Sequence, residues 1–370
     1  LCGLTPAWRV SSFDIQTTFH DRSRGLAGTH SHRRLRDTLV IGQVALAVVL
    51  LIGAGLLLRT FSRLLNVRLG FEPERVLTMQ MLILGDAAER ASKVESIIDR
   101  VQALPEVLAA GTIQFLPLGP TSGTGFYFEG KPKPAPAEQP TTQASLVSRG
   151  YFAAMGIPVL KGRPFDQRER IGSPRVCLIN QSFARTYFSD QEPIGRRIVV
   201  AWTDEAATEI VGVVGDIRQE GLTTEPQPTV FVAQAQVPAY ITHLVVRTSG
   251  DPRRLVKAMR HSVQEVDKNQ PVTKIETMEG YLSASLARPR LHTAMVTAFA
   301  GLALLLAAVG IYGLMSYAVG QRTHEIGIRM ALGAERWDVL RLIMLQGMNL
   351  TFIGGGLGLT GAFGLTRFLT

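Results

Sequence analysis

Cysteine is nearly absent from this chain, and charge is absent from three long stretches of it. Of 370 residues only 2 are cysteines, Cys2 and Cys177, which offers no disulfide framework and no thiolate metal site. Cys177 lies in "RVCLIN", an apolar run that predicts a buried strand, where a thiol acts as a small hydrophobe. The 7 histidines are scattered. His30 and His32 are close together but have no acidic or thiol residue beside them to complete a metal site. No Ser/His/Asp or Cys/His constellation for nucleophilic catalysis stands out.

Nucleotide motifs fail as well. "GFYFEGKP", residues 125–132, satisfies G-x-x-x-x-G-K, but Pro132 stands where a hydroxyl residue must hold magnesium. Pro132 and Pro134 also oppose the helix whose N-terminal amides would cradle phosphate, so the stretch reads as a strand ending in a turn. "IVGVVGDIR", residues 210–218, places a G-x-x-G beside Asp216 but opens no helix, and reads the same way. The expectation is a chain that is not an enzyme, with no catalytic, metal or cofactor-binding residues of its own.

The uncharged stretches are residues 39–58, 293–321 and 342–366. About twenty helical residues cross the ~30 Å hydrocarbon core of a bilayer, so each stretch predicts a transmembrane helix. The third, with "GGGLGLTGAFG", is less apolar and rich in the small residues that let helices approach closely. The net charge of +9 then belongs to flanks and loops, and the partner surface it implies is a lipid bilayer rather than nucleic acid. The spans hold no ionisable group except His292 at an edge, which argues against a proton relay or ion path.

Arg22, Arg24, Arg33, Arg34 and Arg36 precede the first span, partly offset by Asp14, Asp21 and Asp37, and place the N-terminal tail in the cytoplasm. Arg59, Arg63, Arg68 and Arg75 follow the same span on its other side and blur that signal. The loop between the second and third spans supports it, with Arg322, Arg329, Arg336 and Arg341. Two spans separate that loop from the tail, so both face one compartment, and Cys2 and Cys177 lie on opposite sides of the membrane. The predicted organisation is a basic cytoplasmic linker (1–37), a first span (38–59), an extracytoplasmic domain (60–288), a second span (289–320), a cytoplasmic loop (321–338) and a third span (339–368).

Within 60–288 the pattern is mixed α and β. "RVLTMQMLIL" and "VLAAGTIQFLPL" predict strands flanking a helix over 88–104, whose Val94, Ile97, Ile98, Val101 and Leu104 share one face. "KPKPAPAEQP" predicts an exposed loop. Short elements follow, with helices at "GYFAAMG" and "QSFARTYF", and strands at "RVCLIN", "RRIVVAW", "EIVGVVGDI", "TVFVAQA" and "THLVVRT". A helix near 252–267, a strand at "VTKIETM" and a helix from 278 lead into the second span. Two subdomains are expected, the second inserted into the first at about 149–238.

The loop "QRTHEIGIRMALGA" carries more apolar residues than a turn needs. Glu325 and Arg329 are spaced i, i+4 for a helical ion pair, Ile326 and Met330 share a face, and Gly333 is placed to end the helix. On physical grounds alone such a helix either dips its apolar face into lipid or docks on a protein.

"EIGIRMALGA" after a long span, followed by "VLRLIMLQGMNLTFIGGGLGL", closely resembles the FtsX-like permease domain of MacB-type ABC transporters. "SRGYFAAMGIPVLKGRPF", "INQSFARTYF", "PIGRRI" and "IVGVVGDIR" resemble the periplasmic core domain of that family. "LVIGQVALAVVLLIGAGLLLRTFSRLLNVRLGFEPERVL" resembles the junction inside duplicated permeases of acidobacterial type. The resemblance implies a multi-pass protein of the bacterial inner membrane with a large periplasmic domain. A permease half of this family has four spans, so the chain is expected to be a fragment lacking the fourth, with residues 1–25 closing a preceding half. The resemblance further implies that a separate cytoplasmic ABC ATPase dimer hydrolyses ATP. It makes the loop a coupling helix contacting that dimer through Glu325, Ile326, Gly327, Ile328, Arg329, Met330, Ala331, Leu332, Gly333 and Ala334. Motion would then pass through the spans to the periplasmic domain. A second permease half or protomer is an implied partner, and a periplasmic adaptor and outer-membrane channel are partners the family allows. Two other functions on the same fold are a signalling protein controlling a periplasmic cell-wall hydrolase and a lipoprotein-releasing permease.

Overall fold

Apolar spacing decides most of the elements, and strand pairing decides how they group. The computed structural model describes residues 27–369 except Pro136, Asp190, residues 202–205, Arg322 and residues 333–335. The described chain forms two compact units, a helical one from the segments up to Ser62 and from Pro289 onward, and an α/β one, Arg63–Arg288.

Helix α1 (Ala27–Leu65) opens the helical unit. The α/β unit begins with β1 (Val76–Leu82), α2 (Ala87–Gln102) and β2 (Val107–Ile113). Asp86 caps α2 by accepting from the Glu89 amide at 2.8 Å while the Glu89 carboxylate accepts from the Asp86 amide at 3.2 Å, a reciprocal pair that starts the helix here. An insertion follows, with β3 (Ser122–Phe128), β4 (Thr141–Val147), α3 (Tyr151–Met155), β5 (Val159–Gly162), β6 (Val176–Asn180), α4 (Gln181–Phe188), β7 (Arg197–Val200), β8 (Ala207–Val214) and β9 (Thr229–Ala233). The first motif then resumes as β10 (Ile241–Thr248), a 3-10 turn, α5 (Val256–Val266) and β11 (Val272–Thr277).

β11, β1, β10 and β2 lie side by side in that order, each antiparallel to its neighbour. This is a split β-α-β arrangement in which each crossover helix returns over the same face. The period-two pattern of β1 sorts its side chains: Leu77, Met79 and Met81 meet Val94, Ile97 and Val101 of α2 and Met259 and Val263 of α5. Val76, pointing the other way, joins a second cluster with Val245, Tyr151 and Met278.

The insertion is a ring of strands. The order β4-β3-β7-β8-β6-β9 closes because β9 pairs in parallel with β4, from Gln143↔Thr229 to Val147↔Ala233. Closure removes the free edges, and the inside fills with rings: Phe126 stands 5.0 Å from Phe183 and 4.8 Å from Tyr187. β6 is buried along its whole length between β8 and β9, with Cys177 inside, where burial pushes the thiol pKa far up. Ring and sheet join through a single β2–β4 pair, Ile113↔Val147. Strand pairing therefore puts the insertion at 114–240, longer than the expected 149–238, because β3 and β4 belong to the ring.

The helical unit holds α1, α6 (Met278–Gln321), a short α7 (Thr323–Ala331) and α8 (Arg336–Leu369), with α6 beginning inside the α/β unit. Among the described residues three helices are long and apolar enough to cross a membrane, over Leu35–Leu65, Met278–Gly320 and Gly347–Arg367. Val40, Val44 and Ala47 of α1 cluster with Ala303, Ala307, Ile311 and Leu314 of α6, and Arg36 meets Tyr317 while Gln43 meets Gly310, so numbers rise on one helix as they fall on the other. Gly354 and Gly358 of α8 lie against Val44 and Val48 of α1, where a Cβ would stand 2.8 and 2.7 Å from the valine Cβ atoms. Phe352 and Phe363 point outward at 70% and 69% exposure, which suits lipid and not water.

Candidate coupling helix

Between α6 and α8 the chain forms α7, and among the described residues several of its apolar side chains stay exposed. The Thr323 hydroxyl donates to the Val319 carbonyl at 3.1 Å and the Gly320 carbonyl at 2.9 Å, tying the start of α7 to the end of α6. The Leu332 amide donates to the Ile328 carbonyl at 3.0 Å and closes the last described turn. Ile328, Met330 and Leu332 are 50%, 47% and 83% exposed, whereas Ile326 is half-buried. Thr323, His324, Gly327, Ile328 and Ala331 line a shallow depression on one face. Gly327 makes the dent, and no atom lies within 4 Å of where its Cβ would be.

Of the sequence-predicted contacts, Ile326, Gly327, Ile328, Arg329, Met330, Ala331 and Leu332 fall on this helix or its last turn. Glu325 is in the helix, but its side chain lies outside the described residues, as do Gly333 and Ala334. The expected Glu325–Arg329 pair and the helix-ending glycine therefore fall outside what is described. Periodicity missed Trp337, on the first turn of α8 and 73% exposed. Its only signal was a lone indole among charged residues. Arg36 sits 4.2 Å over the Tyr317 ring and links the start of α1 to the end of α6 near this loop.

The resource of this surface is apolar area. Covering one half-exposed side chain of this size, roughly 80–100 Å², contributes about 2 kcal/mol. Among the described residues no group of three or more His, Cys, Asp or Glu side chains could hold a metal. The phosphate-loop look-alike is β3 running into a turn at Gly130, with the Lys131 amide returning to the Phe128 carbonyl at 3.2 Å and no helix behind it. Asp216 has a structural task. It accepts from the Ser182 amide at 2.7 Å, the Ser182 hydroxyl at 2.9 Å and Arg185 at 2.7 Å, holding the first turn of α4 to the end of β8.

Apolar spans joined by an exposed loop helix, with a large α/β unit in the same chain, define a multi-pass membrane protein. Residues 38–262 match the MacB-like periplasmic core domain, and residues 297–370 match the FtsX-like permease C-terminal domain. The chain belongs to the MacB/FtsX-like family of ABC transporter permeases. It is 24% identical over 234 residues to the ABC transporter permease YknZ of Bacillus subtilis, covering 61% of this chain and 58% of that one. It is 25% identical over 244 residues to the macrolide export ATP-binding/permease protein MacB of Acinetobacter baylyi, covering 62% and 35%. With the pyoverdine export ATP-binding/permease protein PvdT of Pseudomonas syringae pv. syringae it shares 24% over 225 residues, covering 58% and 34%. The chain thus spans between a third and three-fifths of the length of these relatives. The periplasmic region of MacB from Actinobacillus actinomycetemcomitans aligns with TM-score 0.40 and 12% identity over 58% of this chain and 94% of that one.

Proposed function

We propose that this chain is the permease subunit of a MacB-like ABC exporter in the bacterial inner membrane, passing ATP-driven motion from a cytoplasmic ATPase dimer to its periplasmic domain. The observation that carries the reading is α7, a helix between two spans with Ile328, Met330 and Leu332 exposed. Those side chains fill a groove on the ATPase, Trp337 adds an aromatic contact beside them, and Gly327 admits the close approach of the partner's surface. ATP binding and hydrolysis reside on the partner. A second permease half completes the transmembrane part, and the periplasmic domain engages an adaptor. Two conformations of the bundle, biased by the nucleotide state of the ATPase, are what the mechanism needs. The uncharged spans suit a transmitter of motion better than a polar conduit.

The test is Gly327→Leu. The open space at its Cβ lets the helix form with the larger side chain, while the groove can no longer close over it. With the protein reconstituted beside its ATPase, the expected result is loss of permease-stimulated ATP hydrolysis at unchanged melting temperature. Full stimulation by the variant would remove α7 from the interface. Capture of a cell-wall hydrolase by the periplasmic domain, with stimulation intact, would turn the reading to signalling.

A further inference from the structure

Arginines on the extracytoplasmic side of the spans work against the charge bias that orients membrane proteins, and α7 gives them no role. One flanks the uncharged run of each span at that end: Arg59 on α1, Arg290 on α6 and Arg367 on α8. All three side chains are exposed, and among the described residues none has an ion pair, hydrogen bond or ring contact. Carboxylates are absent from the sequence on either side of them. No Asp or Glu occurs from 38 to 71, from 280 to 321 or from 339 to 369.

Packing sets them at similar depth. Gln43 of α1 meets Gly310 of α6, with Oε1 2.7 Å from the position of a Cβ, and Val44 meets Gly354 of α8. From that level Arg59 lies 16 residues along α1, Arg290 20 along α6 and Arg367 13 along α8. At 1.5 Å per residue these are about 24, 30 and 20 Å. The spread of about 10 Å is comparable to the thickness of a headgroup layer plus the reach of an arginine side chain.

We propose that Arg59, Arg290 and Arg367 form a phosphate-binding collar that selects anionic glycerophospholipid in the membrane leaflet on the side of the α/β domain. A guanidinium offers paired donors to a phosphodiester and stays charged at every physiological pH. Three of them, on stretches of sequence that hold no carboxylate, attract a lipid of net negative charge over a zwitterionic one. The collar accounts for keeping arginine where orientation alone disfavours it.

The test measures binding of fluorescent phosphatidylglycerol against fluorescent phosphatidylcholine to the full chain in nonionic detergent micelles. The native chain is expected to prefer phosphatidylglycerol. Each Arg→Gln change should weaken that preference roughly fivefold, and R59Q/R290Q/R367Q should bring it near one. The triple Lys variant keeps the charge and should retain most of the preference. If the triple Gln variant fails to insert, the three single variants carry the test, since each alters an exposed side chain without contacts. Native preference in all the Gln variants would overturn the collar. Displacement of the lipid by inorganic phosphate at equal concentration would also overturn it, in favour of a soluble-anion site.

Discussion

The run "GGGLG" in α8 places four glycines within five residues, and only two of them face another helix. A Cβ at Gly354 would lie 2.8 Å from Val44 Cβ and 2.9 Å from the Ile41 carbonyl oxygen. One at Gly358 would lie 2.7 Å from both the Ala45 carbonyl oxygen and Val48 Cβ. Gly355 and Gly356 have nothing within 4 Å. The blocking atoms are backbone and β-branched Cβ atoms, which do not swing aside. Substitution to Ala adds about 1 kcal/mol of helix propensity at any of the four. At Gly354 or Gly358 it also forces α1 and α8 apart by more than half an ångström, an overpacking that costs about 1–3 kcal/mol. Gly355→Ala and Gly356→Ala are therefore expected to raise stability, and Gly354→Ala and Gly358→Ala to leave it unchanged or lower it. The gap should be about 1–3 kcal/mol per site. Unfolding of the helical signal by circular dichroism, as sodium dodecyl sulfate is titrated into mild detergent, measures the difference. Equal effects at all four positions would refute the packing of α8 on α1.

Two further predictions concern the α/β unit. Tyr151 is fully buried and its hydroxyl has no hydrogen-bond partner, so Tyr151→Phe should stabilise the protein by about 1 kcal/mol, read as a rise in melting temperature. A loss of that size would show that the hydroxyl is bonded. Burial raises the pKa of Glu95 above its ordinary carboxylate value, more than Arg149 at 3.3 Å lowers it, and Asp99 adds to the rise. A raised acid favours the folded state when protonated, so its contribution is fullest below the unfolded pKa and fades as pH rises through the folded one. Glu95→Gln should then gain melting temperature over the native chain at pH 7, with the gain closing toward pH 4. A pH-independent difference would contradict the assignment.

What was legible in the sequence follows from local physics. An uncharged run long enough to span a bilayer needs no neighbours to be recognised, so the three membrane helices could be placed from composition. The α2 stripe of Val94, Ile97, Ile98 and Val101 likewise depends on spacing along one chain. β4, "TTQASLV", carried no strand signal, because five of its seven residues are polar or small and its burial comes from β9 pairing in parallel beside it. β5, "VLKG", was equally silent: only four residues long and mostly exposed, it is defined by its pairing with β8.

The candidate site divides along the same line. Sequence alone determined that a short helix with apolar side chains joins two spans, since both the spacing and the flanking uncharged runs are local properties. Only the tertiary structure decided that Ile328, Met330 and Leu332 stay exposed among the described residues, and that Gly354 and Gly358, but not Gly355 and Gly356, sit in a helix contact. Burial is a relation between segments far apart in the chain, and no period within one segment contains it.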